Sequence, residues 1–190
     1  MREFSRFFLI VGFFIFIGAA QAADRNPMWA TPIDAPGVPN LHKVTDTLYR
    51  SAQPNAEGMK TLEWMGIRTV VNLRGFHSDK DEMRGTALVG RSVSMHAWNA
   101  DRQDVVKALR VLTDPSGAPY LVHCQHGADR TGMIMAMYRI VVQGWSKEQA
   151  IDEMLNGGYG FHSVWSNIVD YVKKADIDAI KAELAAPAGR

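Results

Sequence analysis

From Leu41 onward, apolar positions recur at strand or helix spacing in a regular order. TLYRSAQP (47–54) predicts a short strand that ends in a loop. Asn55 then heads a helix over 55–66, with Met59, Leu62 and Met65 on one face and Gly66 as the stop. The β-branched runs 67–73 and 91–97 predict buried strands. Between 104 and 112, Val105, Ala108, Leu109 and Leu112 share one helical face, and 118–124 predicts another strand. An apolar helix follows over 130–144. Ser146 and Gln149 form a capping box for 147–155. A last helix is expected over 163–184, with Val164, Ile168, Val172 and Ala175 as its inner stripe. Residues 23–40 carry Pro27, Pro32, Pro36, Gly37 and Pro39 without periodicity and predict an extended leader over the surface. Strands alternating with helices indicate one α/β domain over 41–185 with a largely parallel sheet.

The N-terminus changes the picture of where the chain works. Arg2 and Arg6 precede an apolar run, Phe7 to Ile17, that is well short of the about 20 residues a membrane span needs. Ala20-Gln21-Ala22 supplies the small-x-small pattern of a signal peptidase site, so residues 1–22 are expected to be a signal peptide cleaved after Ala22 and the protein periplasmic or secreted. That cleavage removes Arg2, Arg6 and Glu3 from a total of 21 basic and 20 acidic residues, leaving 19 of each in 168. Balanced charge gives no support for a nucleic-acid or membrane surface. A single cysteine, Cys124, forbids an internal disulfide.

That cysteine lies in YLVHCQHGADRTG (120–132), at the tip of a strand, with Arg130 six positions on at the first turn of the next helix. Gln125 to Asp129 must curl between them, with backbone N–H groups free to point inward, and Gly127 lets the chain bend. Such a loop is an anion nest backed by the helix dipole. The same amides and Arg130 stabilise a thiolate, and the guanidinium grips a tetrahedral oxyanion in bidentate fashion. Sulfur attack on a bound phosphoryl group is the chemistry this arrangement suits. A zinc site from Cys124, His126 and Asp129 is disfavoured, because so short an arc does not easily point all three inward.

HCQHGADRTG resembles the His-Cys-x5-Arg-Thr-Gly signature of the cysteine-dependent protein tyrosine and dual-specificity phosphatases. LYRSAQP, GIRTVVNLR and GWSKEQAIDEML are further similar to the compact, exported bacterial members, so the resemblance spans about 41–172. It implies a single-domain dual-specificity-phosphatase-like α/β fold, with a central mostly parallel sheet of about four to five strands flanked by helices. Cys124 would be the nucleophile and Arg130 the holder of the phosphoryl oxygens. The amides of Gln125, His126, Gly127, Ala128, Asp129 and Arg130 would line the phosphate pocket. Thr131 would hydrogen-bond the thiolate, and His123 would steady the loop from outside. The resemblance implies a phosphatase for phosphotyrosine, extending to phosphoserine and phosphothreonine, that needs no metal or cofactor. Its partner would be a phosphorylated protein or small phosphoester, with no nucleic acid and no membrane after signal cleavage. The protein is expected to be a monomer. An inositol-phosphate or phosphoinositide phosphatase is the alternative on the same fold, disfavoured by a loop without lysine. A rhodanese-like sulfurtransferase and a non-catalytic phosphate-binding module stand further off.

Phosphate esters also need a proton for the leaving oxygen. Relatives take it from an Asp on a separate loop, and HAWNADRQDVV (96–106) offers Asp101, with Trp98 beside it as a pocket wall, and Asp104. Asp101 is the favoured acid, although it and Asp104 also suit a helix cap. Asp129, directly before Arg130, resembles the acid of the myotubularin type, and a salt bridge or cap at the helix start is its competing role. Arg74, at a strand end, is as well suited to a structural bridge as to substrate contact.

Overall fold

The computed structural model describes residues 25–187; the expected signal segment lies outside the described residues. Six strands form one mixed sheet: β1 (Thr31–Pro32), β2 (His42–Thr45), β3 (Leu48–Ser51), β4 (Thr69–Arg74), β5 (Val89–Met95) and β6 (Tyr120–His123). Their order is β1-β2-β3-β6-β4-β5, with β1–β2 and β2–β3 antiparallel and the other neighbours parallel. The architecture is α/β, as expected, but the sheet has six strands rather than four to five. β1 and β2 are two and four residues long, too short to declare a period, and they form by pairing along the edge, Thr31 opposite Lys43.

The central strand β6 shows why both faces are covered. Tyr120 and Val122 point into a core shared with the later helices, whereas Leu121 points into a second cluster with Met59 and Leu62. Those two belong to α1 (Ala56–Trp64), capped by Asn55, whose side chain accepts from Gly58 N. The opposite face carries α2 (Arg102–Thr113), α3 (Asp129–Val141), α4 (Lys147–Asn156), α5 (Ser166–Lys174) and α6 (Ile177–Ala185). The capping box of Ser146 and Gln149 opens α4 with both reciprocal bonds present.

The single helix expected over 163–184 is broken in two. Ala175 turns extended (ψ 132°), and the Asp176 side chain accepts from Ala179 N and starts α6 afresh. A cap bond available at Asp176 outweighs continuation of the helix. Val164, placed on the inner stripe by its spacing, is 74 % exposed, because it lies in a short 3-10 turn ahead of α5. The leader is tied into the fold. Ala30 and Val38 are buried, Ala30 N donates to Glu153 Oε1, and Arg25 donates to Gly157 O and Ala30 O.

Candidate active site

β3, β6, β4 and β5 run parallel, so their carboxyl ends share one edge of the sheet, where ligands of such sheets bind. Cys124 follows β6 at that edge and is 1 % exposed. Gln125–Ala128 then loop into α3, whose N-cap residue Ala128 makes no side-chain cap bond.

The loop's polarity is set by what holds its carbonyls. Gln125 O accepts from Gln53 N (3.2 Å), His126 O from Asn40 Nδ2 (3.0 Å) and Gly127 O from Arg50 Nη2 (2.7 Å). Ala128 O accepts from Gly132 N, and Cys124 O lies 3.3 Å from His123 Nδ1. With every carbonyl from 124 to 128 engaged by protein, the amides face the other way. The N–H groups of Gln125 to Thr131 donate to no backbone acceptor among the described residues. Arg130 Nε and Thr131 Oγ1 are also buried without a partner, so the expected Thr131 bond to the Cys124 sulfur is not made here. Buried donors are nearly always paired. A helix start with this many free N–H groups suits an oxyanion.

Two networks brace the loop; sequence reasoning sets His123 beside the loop and gives Arg74 a structural bridge as one role, but names neither Arg50 nor Asp79. On one side Arg50, 1 % exposed, lies 3.5 Å from the centroid of the Tyr159 ring. Burial pulls its pKa below the ordinary value, with Tyr159 and Glu153 acting in opposition. Burial also pushes the Tyr159 phenol up to about 12, so it stays a donor, reaching Glu153 Oε1 at 3.0 Å. Glu153 in turn takes Arg139 Nε at 2.7 Å and Nη2 at 2.8 Å. On the other side His123, fully buried, meets Asp79 Oδ2 at 2.9 Å, and Asp79 Oδ1 accepts from Gln53 (2.9 Å) and Asn72 (3.1 Å). Burial alone would raise the Asp79 carboxyl, but the hydrogen bond and charge of His123, with Gln53 and His77, hold it below its usual range. Arg74 donates to Gln53 Oε1 at 2.8 Å and so joins this brace. A charged residue inside an otherwise buried strand is the one local signal that marks Arg50; Asp79 carries none.

The three aspartates part company. Asp101 is the N-cap of α2, Oδ1 accepting from Gln103 N at 2.6 Å, and it lines a groove with Asn167, Tyr171 and Ile180. Asp104 lies 3.6 Å from Lys107. Asp129 is 5 % exposed at the start of α3, and its carboxylate accepts from His162 N (2.9 Å) and lies 2.9 and 3.1 Å from His162 Nδ1. Trp98 is 67 % exposed and stacks on His96 at 4.4 Å, with Phe76 5.5 Å beyond, at the same edge of the sheet.

His126, Asp129 and His162 bring ligand atoms within 4.8 Å of one another, and so do His77, Asp79 and Glu82. In both sets the aspartate is already committed to protein donors, so neither argues for a metal.

Cysteine at a strand tip, outward carbonyls, free amides and an arginine on the next helix together make a thiol-based phosphate cradle. Residues 38–167 match the family described as DSP-PTPase phosphatase fused to NAD+ kinase. The chain belongs to the protein tyrosine and dual-specificity phosphatase family. It is 42 % identical over 172 residues to the dual specificity protein phosphatase TpbA of Pseudomonas aeruginosa strain UCBPP-PA14, spanning 88 % of this chain and 76 % of that one. A crystal structure of a cysteine-to-serine TpbA with phosphotyrosine superposes with a TM-score of 0.78 at 37 % identity, over 86 % of this chain and 99 % of that one. Inositol diphosphatase DSP5 of Arabidopsis thaliana is 27 % identical over 60 % of each chain. This dual-specificity-type enzyme is a phosphatase, with Cys124 and Arg130 in the family's signature positions.

Proposed function

We propose that the enzyme removes phosphate from phosphotyrosine in proteins, and from phosphoserine and phosphothreonine, through a phosphocysteine at Cys124. The observation that carries this reading is the loop itself: five held carbonyls, free amides from Gln125 to Thr131 and Arg130 at the helix start. The Cys124 thiolate attacks phosphorus, an S–P bond forms, and the P–O bond to the leaving group breaks. Amides and Arg130 take the charge on the equatorial oxygens, which is where preorganised donors contribute most. Water then attacks phosphorus, the S–P bond breaks, and the thiolate returns. The leaving oxygen must also take a proton, and Asp101, Asp104 and Asp129 are the carboxylates the sequence offers for it.

Aryl substrates are favoured by the exposed Phe76 and Trp98, with the half-buried His96 between them, at the same edge, which offer a wall to a phenol ring. Inositol diphosphates are disfavoured. No lysine stands in Gln125–Asp129 to neutralise a second phosphate, and the buried Asp129 carboxylate repels one. Export is part of the proposal and rests on the apolar run 7–17 and Ala20-Gln21-Ala22. A panel of phosphopeptides and inositol polyphosphates with the 23–190 protein tests the substrate class: preference for inositol diphosphates over phosphotyrosine peptides would overturn it. Sequencing the N-terminus of protein from a periplasmic fraction tests export, with Ala23 expected first.

A further inference from the structure

We propose that the open edge of β5, with the groove it forms against α2, takes an acidic extended segment of the phosphoprotein substrate as an added strand. This rests on the phosphotyrosine-protein reading and adds to it a second point of contact, away from the catalytic loop. The two edges of the sheet differ. β1, at one end, is two residues long and ends in Pro32, which has no N–H to offer. β5, at the other, is the longest strand of the sheet, seven residues without a proline. Long open edges are ordinarily shortened, covered or broken by proline. No strand lies outside β5 among the described residues, and Gly90, Arg91, Ser92 and Ser94 are exposed.

Register shows which groups are on offer. Val89 N donates to Arg68 O, so the polar groups of Val89 face β4. Thr69 to Asn72 pair one-to-one with Val89 to Ser92, and successive residues of a strand turn their backbone groups to opposite sides. The N–H and C=O of Gly90 and Ser92 therefore face outward. One has no side chain and the other a short one, so a second chain can reach the backbone.

The surroundings say what kind of chain. Ser92, Val93 and Ser94 form one wall of a groove of about 560 Å³, and Asp104, Lys107, Arg110 and Val111 of α2 form the other. A strand edge beside a helix is a shape in which strand addition binds extended peptides, main-chain bonds giving affinity and side-chain sites giving specificity. Arg110 also donates to the carbonyls of Glu183 and Ala186, which fix it in place. Asp104 is the groove's one carboxylate, 3.6 Å from Lys107. Arg68 and Arg91 carry the basic surface into the adjoining hollow, where Asp114 is the single carboxylate. Cations outnumber carboxylates on both stretches, which favours an acidic occupant.

The sheet relates this groove to the cysteine. Only β4 lies between β5 and β6, the strand that ends at Cys124, and all three run parallel, so the carboxyl end of β5 opens on the catalytic edge. An added strand would lie three spacings from β6, about 14 Å, a distance that about four or five extended residues cross.

The test compares kcat and KM of the full mature chain on phosphotyrosine peptides. One peptide is short, one carries an alternating Asp-Val run beyond a Gly-Ser spacer of about five residues, and one has lysine for aspartate in that run. The acidic run should lower KM about tenfold, a modest gain for a contact made intramolecular, with little change in kcat, and the lysine run should give no gain. Methylating the backbone nitrogens of the acidic run removes its pairing donors without changing its charge, and should abolish the gain. Lys107→Glu with Arg91→Glu should return KM to that of the short peptide and leave para-nitrophenyl phosphate turnover unchanged. Ser92→Pro, which removes an outward N–H, should do the same; the double charge variant alters exposed side chains only and decides the matter should Ser92→Pro fail to fold. No KM gain from the acidic run, an equal gain from the methylated run, or a gain retained in the double charge variant would each overturn the proposal. Failure of the phosphotyrosine-protein reading looks different: the short peptide itself would not be dephosphorylated.

Discussion

Gly127→Ala should damage this enzyme in stability and in rate together. Gly127 sits at φ +69°, in the left-handed region, and a Cβ there would stand 2.5 Å from Ser51 C, Ser51 O and Ala52 N. All three are backbone atoms at the end of β3, so no side chain can swing aside. Ordinary contact begins near 3.4 Å, and the loop and strand must part by about 0.9 Å. Left-handed backbone for an L-residue costs about 1–2 kcal/mol, and overpacking adds about 1–3. The sum, about 2–5 kcal/mol, corresponds to a fall in Tm of about 5–15 °C for a domain of this size. The same displacement pulls Gly127 O from Arg50 and Gln125 O from Gln53 N. Misplacement by an ångström at a reacting centre costs about 10²-fold, so kcat/KM on para-nitrophenyl phosphate should drop by that order, with weaker vanadate inhibition. Gly144→Ala is the control, because it shares a positive φ, +74°, but its Cβ would meet nothing within 4 Å. It should lose about 1 kcal/mol and keep its activity. A Gly127→Ala enzyme that melts with wild type and turns over at the wild-type rate would refute the account of the loop.

Other outcomes are as specific. Cys124→Ser should abolish turnover while keeping phosphate and vanadate affinity, and EDTA should not inhibit; EDTA inhibition reversed by a metal would revive a metal mechanism. The Asp79 carboxyl titrates below its ordinary value, so its stabilisation is complete above about pH 4 and fades as pH falls through the folded pKa. The urea-midpoint gap between wild type and Asp79→Asn should therefore narrow from about pH 6 to about pH 3, and a constant gap would count against the His123 pair. His42, with its pKa lowered to about 4 by burial, takes up a proton more readily unfolded, so stability should fall as pH drops from about 6.5 to about 4. His42→Gln should lose part of that slope, and an unchanged slope would place the titration elsewhere. Glu153→Gln leaves Arg139 buried without its charge partner and should cost about 3–5 kcal/mol, read as a shift in urea midpoint at constant slope.

What was legible in the sequence was local. Cys124 and Arg130 are six residues apart on one strand-loop-helix unit, which the apolar run before Cys124 and the Arg-Thr-Gly after the loop announce in the sequence. Caps were legible for the same reason: Asn55, Ser146 and Gln149 act within three residues of themselves. The two-residue β1 and the break at Ala175 were not, since one depends on pairing across the edge and the other on a single cap bond. The braces were hidden by distance along the chain. Arg50 reaches Gly127 across 77 positions, His123 reaches Asp79 across 44, and Asp129 reaches His162 across 33. No spacing rule connects such residues, and an isolated histidine in a glycine-rich loop carries no pattern of its own.

The hidden residues explain why the legible ones can work. Anion affinity in the loop depends on carbonyls pointing away, and a free peptide of this sequence has no reason to hold four of them outward. Arg50, Gln53, Asn40 and His123 impose that direction from β3, the loop after it, the leader and β6. Arg50 and His123 are themselves buried, which by itself disfavours folding. Partner groups offset much of the cost: Tyr159 covers Arg50 and donates to Glu153, while Asp79 satisfies three donors, although Arg50 Nε is left without a partner. Leader residues 25–30 close the first of these networks, Ala30 N on Glu153 and Met28 O under Arg139. The leader is therefore part of the machinery that points the catalytic amides, although it lies outside the sheet's parallel core.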